Sequence, residues 1–305
     1  MLARAYVLAC SLALCWQGAV AAPVSRQAVQ ASPGCGTSHS FIGQSREFSF
    51  ESSGGTRTYR IHLPSNYDIN APRPLLIAYH GSGGNPASFE AETNFADESI
   101  NPDMITVFPA GINGNWQGPT YATPGVSDKV FTTDLVNRIK ANYCVDESRV
   151  YAAGNSNGGG FVGTLACSPG HGGQFAAFAP VAAALYTDVN GDERCTPARS
   201  PLPVLETHGT SDPTIPYNGG NGRGGPLPAI PEWLGRWAQR DQCTTSTTKD
   251  LGNGVTDQSW TCAGIPGLLR HIKIEGHDHS YPGAGNDQIY ITPVILDFLR
   301  AQYKP

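Results

Sequence analysis

The chain has 305 residues, 40% of them hydrophobic and 15% charged, which is enough for one large core and too even along its length to suggest two. Lys and Arg number 20 against 25 Asp and Glu, and the formal net charge of -5 leaves no basic footprint for nucleic acid or for an anionic membrane. Arg4 precedes the apolar run Ala5 to Leu14, and Ala19-Val20-Ala21 supplies the small residues of a signal-peptidase site. Residues 1–21 therefore read as a signal peptide and 22–305 as one mature domain, secreted and extracellular. The run is too short to cross a bilayer, and no other apolar stretch reaches ~18 residues. Cys10 and Cys15 leave with the peptide. Cys35, Cys144, Cys167, Cys195, Cys243 and Cys262 remain, an even set that reads as disulfides in a secreted chain, although their pairing is open.

The mature chain begins with two alternating segments, Arg46 to Glu51 and Arg57 to Leu63, around Ser52-Ser53-Gly54-Gly55, the signature of a hairpin. Apolar runs come next at Leu75 to Tyr79, Met104 to Phe108, Arg149 to Ala153, Phe175 to Val181, Val204 to Thr207 and Leu269 to Ile274. Most are separated by helical patterns, of which Asp128 to Asn142 and Asp287 to Gln302 are the clearest. Such alternation predicts an α/β fold: a mainly parallel sheet, opened by an antiparallel hairpin, with helices on both faces. Asn218 to Pro226 is the most loop-like stretch, either a flexible rim or a plain connector. No repeat or Ser/Thr-rich linker is present, and no appended module is expected.

Gly154-Asn155-Ser156-Asn157-Gly158 is the chemically informative stretch. It follows the strand Ser148 to Ala153 and precedes a helical segment from Gly159 to Ala166, the context in which Gly-x-Ser-x-Gly forms a nucleophile elbow. A serine hydroxyl needs a base and an acid, in the chain order Ser, Asp, His. Asp212 comes just after the strand Pro203 to His208, where catalytic groups of open α/β sheets gather, although Asp-Pro is also ordinary turn chemistry. The loop Glu275 to Gly283 holds His277 and His279, and either could be the base. Backbone donors for an oxyanion are expected from Asn157, after the serine, and from Ser82 in His80-Gly81-Ser82, after the strand ending at Tyr79. His80 itself reads as structural.

Tyr79-His80-Gly81-Ser82-Gly83-Gly84, the Ser156 elbow continuing to Gly159, His208-Gly209-Thr210-Ser211-Asp212 with Ile215-Pro216-Tyr217, and His279-Ser280-Tyr281-Pro282 together carry a resemblance that spans nearly all of the mature chain. The chain resembles secreted esterases related to polyhydroxybutyrate depolymerases, and most closely fungal feruloyl esterases of that group. The resemblance implies an α/β-hydrolase catalytic domain with Ser156, Asp212 and His279 as its triad. The family's His-x-Trp-Pro pattern aligns on His279, with Tyr281 in place of Trp. It also favours the pairings Cys35 with Cys144, Cys167 with Cys195 and Cys243 with Cys262. Trp116 resembles an aromatic that lines the family's acyl pocket, and Tyr281 is a second candidate wall. The implied substrate is a hydroxycinnamoyl ester on plant cell-wall xylan, cleaved by a monomer without a cofactor. Acetylxylan esterase and polyhydroxybutyrate depolymerase use the same triad and stand as alternatives, beside a catalytically silent binding protein of the same fold.

No metal is expected. Asp188-Val189-Asn190-Gly191-Asp192 resembles the start of a calcium loop, but Glu193 and Arg199 stand where glycine and the bidentate glutamate belong. His277 and His279 lack an evident third ligand, and no Cys-x-x-Cys occurs.

Overall fold

The computed structural model describes residues 29–189, 195–285 and 287–305. The signal-peptide reading and most of the calcium-loop reading lie outside the described residues. The hairpin forms as its sequence demands: β1 (Gln44–Ser52) and β2 (Gly55–Leu63) pair in register from Gln44 opposite Leu63 to Ser52 opposite Gly55. Ser53 and Gly54 make the turn with φ of 55° and 81°, the left-handed pair that matches the twist of a two-residue hairpin.

The remaining elements run in order: β3 (Arg73–Tyr79), α1 (Pro86–Thr93), β4 (Ile105–Pro109), α2 (Asp128–Asn142), β5 (Val145–Asn155), α3 (Asn157–Ala166) and the short α4 (Pro169–Gly172). Next come β6 (Ala177–Val181), β7 (Val204–Gly209), the small ribbon β8 (Gly220–Gly222) and β9 (Gly225–Leu227), and α5 (Ile230–Arg240). β10 (Cys243–Gly252), β11 (Val255–Cys262), β12 (Ile265–Ile274) and α6 (Ile291–Arg300) complete the chain. Ten strands form one sheet in the order β1-β2-β4-β3-β5-β6-β7-β12-β11-β10. Its centre, from β4 to β12, is parallel, and antiparallel strands flank it on both sides. This is the α/β-hydrolase architecture.

The central strands are buried along nearly their whole length because both faces are covered. One face packs Phe131, Leu135 and Ile139 of α2, Phe161 and Leu165 of α3, and Trp233 and Trp237 of α5. The other packs Phe89 of α1 and Ile291, Ile295 and Leu299 of α6. α2 starts as expected, with the Ser127 side chain accepting from the Val130 amide and Asp128 in the first turn. α6 starts later than its sequence suggests, because Asp287 does not cap it: its carboxylate accepts from the Gly283 amide at 2.7 Å and closes the preceding loop instead.

The sequence pattern does not reveal the hairpin β10–β11, which extends the sheet. β10 is exposed along nearly its whole length and reads Cys-Thr-Thr-Ser-Thr-Thr-Lys-Asp-Leu-Gly, so it carries no buried face to make hydrophobicity alternate. Thr-rich strands with charge suit an edge that must stay unpaired. Disulfides join Cys35 to Cys144, Cys167 to Cys195 and Cys243 to Cys262, the pairing that the resemblance implies, and the third closes the outer hairpin at its open end.

Candidate active site

Ser156 sits between β5 and α3 with φ 53° and ψ -118°, a conformation that non-glycine residues adopt only when the surroundings impose it. Its amide donates to Val181 O at 2.9 Å, and its carbonyl accepts from the Gly160 and Ala184 amides at 2.9 and 3.0 Å. The flanking glycines are required by space. A Cβ on Gly154 would lie 2.7 Å from the Gly158 backbone, and one on Gly158 would lie 2.1 Å from Tyr79 O. The turn is thereby locked, and the Ser156 side chain stands above the C-terminal edge of the sheet.

β7 and β12 deliver the two partners to the same edge. The Ser156 hydroxyl donates to His279 Nε2 at 2.8 Å, and His279 Nδ1 donates to Asp212 Oδ2 at 2.6 Å. Asp212 is buried, and its other oxygen accepts from the Thr214 and Ile215 amides at 2.8 Å each. Burial alone raises the pKa of this carboxyl, but donors from His208, His279 and the Ile215 amide outweigh it and hold Asp212 well below the usual carboxylate range. His277, two residues earlier, points elsewhere: its Nε2 lies 3.2 Å from Ser280 O. Of the two histidines in this loop, His279 is thus the one that contacts both Ser156 and Asp212.

The loop after β3 lies against the serine, close enough that a Cβ on Gly81 would be 3.4 Å from Ser156 Cβ. Among the described residues the amides of Ser82 and Asn157 have no hydrogen-bond acceptor, and Asn157 opens α3, where orphan N–H groups and the helix dipole favour negative charge. His80 is buried, with Nδ1 donating to Gly81 O at 2.7 Å and Nε2 accepting from the Gly111 amide at 3.0 Å. Both nitrogens are therefore committed to the main chain in one neutral tautomer. Burial, partly opposed by the Gly81 carbonyl, lowers its pKa and agrees with that tautomer.

Trp116 corrects the sequence reading. It is 0% exposed, stacks on Phe161 with ring centroids 5.6 Å apart, and meets the edge of Tyr79 at 5.1 Å. Its Nε1 donates to His80 O at 2.9 Å, while its main chain exchanges two hydrogen bonds with the Asn157 side chain, at 2.7 and 3.2 Å. It braces the residues behind the serine and does not line the two clefts that open beside Ser156. Tyr281 is also buried, with its hydroxyl bonded to Thr292 at 2.9 Å, yet it borders a cleft of about 290 Å³ together with Phe89, Glu92 and Ser280.

A larger cleft of about 440 Å³ opens on the other side of Ser156 and His279, lined by Tyr121, Tyr186, Pro213, Ile215 and Arg223. Sequence reasoning missed these side chains because they come from irregular segments that only the fold brings together. The Gly-rich stretch supplies part of this rim as the β8–β9 ribbon. Arg223 at its turn stacks 4.3 Å over the Tyr121 ring and donates to Ser82 Oγ at 2.7 Å.

A model of the family described as putative esterase matches residues 51–251, about two thirds of the chain and all but the histidine of this arrangement. The chain belongs to this esterase family. Among curated relatives of this esterase, feruloyl esterase B of Piromyces equi is 30% identical over 214 residues, covering 67% of the chain and 39% of the relative. The probable feruloyl esterase C of Aspergillus niger is 27% identical over 263 residues, covering 83% of the chain and 84% of the relative. The chain thus spans well under half of the first relative and most of the second. Among solved structures, the acetyl xylan esterase from Aspergillus awamori superimposes with a TM-score of 0.59 at 15% identity, covering 84% of the chain and 99% of that protein. At that identity the likeness establishes the fold.

Proposed function

We propose that this esterase is a secreted serine hydrolase that releases ferulate or a related hydroxycinnamate from plant cell-wall xylan. The observation that carries the chemistry is the unbroken chain from Ser156 Oγ through His279 to Asp212, with contacts of 2.8 and 2.6 Å. In this reading Ser156 attacks the ester carbonyl as His279 takes its proton, and Asp212 orients the ring and stabilises the imidazolium. The amides of Ser82 and Asn157 hold the oxyanion, the interaction that contributes most in acyl transfer. His279 then protonates the leaving alcohol and activates water against the acyl-enzyme. One chain supplies all of these groups, so a monomer suffices, and the steps require no cofactor.

The curated relatives named feruloyl esterases support the substrate class. A flat aromatic acyl group suits the larger cleft, where Tyr121, Tyr186 and Ile215 offer ring and aliphatic surface beside the serine. The polar cleft bordered by Ser88, Glu92 and Ser280 then faces the sugar. Secretion rests on the signal-like residues 1–21 and the disulfides. A hydrolysis panel decides the reading: methyl ferulate, caffeate, coumarate and sinapate are expected to be cleaved faster than acetylated xylan or polyhydroxybutyrate. Dominant deacetylation would replace the feruloyl assignment with acetylxylan esterase, and no hydrolysis of any ester would leave only a binding protein.

A further inference from the structure

Behind Asp212 lies a second pair of ionisable groups that the reaction does not use. Glu206 and His208 are two residues apart on β7, so their side chains share one face, and they are 0% and 1% exposed. His208 Nε2 lies 2.9 Å from Ile215 O and 3.5 Å from Asp212 Oδ2, while Nδ1 lies 3.0 Å from Glu206 Oε1. A carbonyl only accepts, so Nε2 carries a proton. The protonation of Nδ1 then depends on Glu206. The second oxygen of Glu206 is 2.7 Å from Nδ1 of His271 on β12. That nitrogen also faces Glu206 O at 3.3 Å, while His271 Nε2 pairs with the Tyr217 hydroxyl at 3.0 Å. His271 Nδ1 carries a proton because it faces that carbonyl, and this N–H beside Glu206 favours the carboxylate form, so that Nδ1 of His208, 3.0 Å from the same carboxylate, takes the second proton.

The geometry points to His208 as a permanently charged positioning residue: a buried imidazolium, held by Glu206, that keeps Asp212 ionised and offsets its charge toward His279. This rests on the esterase reading above. With one positive charge already beside Asp212, less of that carboxylate's negative potential reaches His279. Burial lowers the pKa of His208, but Asp212 and Glu206 overcome it and push it up to about 10. The other groups facing this set are few. Tyr217 meets the His208 ring edge-on at 6.0 Å, and Lys273, which is the register partner of His208 on β12, sits 5.9 Å from the Tyr217 ring and 3.0 Å from Glu275. Around His279 the charged neighbours are Asp212, Asp278 in its own loop, Glu92 in the smaller cleft and Arg223 across the larger one.

The test begins on the unmodified protein, with 15N-labelled histidine. At about pH 8, where an ordinary histidine has lost its second proton, His208 is expected to show protons on both ring nitrogens. A singly protonated His208 at that pH overturns the inference, and the measurement needs neither turnover nor a folded variant. The second arm is His208→Gln, which keeps an N–H donor and removes the charge. Asp212 then faces His279 with its charge unopposed, so the acid limb of kcat/KM for methyl ferulate should move up by roughly one pH unit or more, as expected for one charge a few ångström away. A folded variant whose acid limb stays at the wild-type position refutes the proposal, whatever its loss of stability. Failure of the esterase reading is distinguishable, because it appears as no hydrolysis of any ester or as hydrolysis that persists in Ser156→Ala, and neither outcome alters the 15N result.

Discussion

Trp116→Ala separates a bracing role from a substrate-binding one. The wild-type side chain is fully buried between Tyr79 and Phe161, and removing it leaves a cavity where a Trp stood. Truncating a buried Trp costs about 3–5 kcal/mol, and stripping His80 O of its Nε1–H partner adds roughly 1–3 more if no water replaces it. For a domain of this size each kcal/mol is worth about 2–4 °C, so a fall in Tm of roughly 10 °C or more is expected at a fixed scan rate. The variant is then assayed, as folded protein, on methyl ferulate and on a short acetyl ester. Because Trp116 holds the Asn157 side chain and the His80 carbonyl and lines neither cleft, both activities should fall together. Losing one pocket contact would instead split the two substrates by about 1–2 kcal/mol, or roughly 5–30-fold. A selective loss on ferulate with an unchanged Tm would refute the reasoning and return Trp116 to the pocket wall.

Ser156→Ala should fold normally and lose several orders of magnitude in turnover, leaving only the ~10³–10⁴ that oxyanion donors and binding supply over water; near-full activity in a hydrolysis assay contradicts the mechanism. His279→Ala should be nearly inactive and His277→Ala only modestly impaired, because His279 alone bridges Ser156 and Asp212; the opposite order in kcat/KM rules out the proposed base. Thiol titration of the denatured, non-reduced mature protein should find no free thiol, and reduction of the three bridges should cost roughly 2–4 kcal/mol each. Asp241 is 0% exposed, and burial, against the Leu202 amide and two arginines, pushes its pKa up to about 7. Its protonated form is thus favoured in the fold, a contribution that is complete below about pH 4 and lost as pH rises through 7. Asp241→Asn should therefore gain stability over wild type by about 2–4 kcal/mol more at pH 8 than at pH 4 in denaturant titrations, and an unchanged difference would show the carboxyl to be ionised at no cost.

The sequence on its own determines whatever local chemistry enforces. The glycines at 154 and 158 and the strand before them specify a sharp turn, so Ser156 was legible as the residue lifted above the sheet. Asp212 and the loop of His277 and His279 were legible because each comes directly after a buried apolar run, and the ends of such runs gather at one edge of a parallel sheet. The central strands, α2 and the first hairpin are set by periodicity and turn chemistry in the same way. Tertiary structure decided whatever depends on distant residues. Only packing shows that Trp116 faces Phe161 and not the cleft, since a loop tryptophan carries no periodicity that marks its inner side. The outer strands β10 and β11 were silent because the first is an exposed edge and the second is half-buried along most of its length, so neither carries the alternation that one buried face creates. The larger cleft joins Tyr121, Tyr186, Ile215 and Arg223 from separate loops, and the Glu206–His208–His271 cluster depends on β12 lying in register beside β7. Those neighbours are more than 60 positions apart in the chain, so the charge behind Asp212 arises from the order of strands in the sheet.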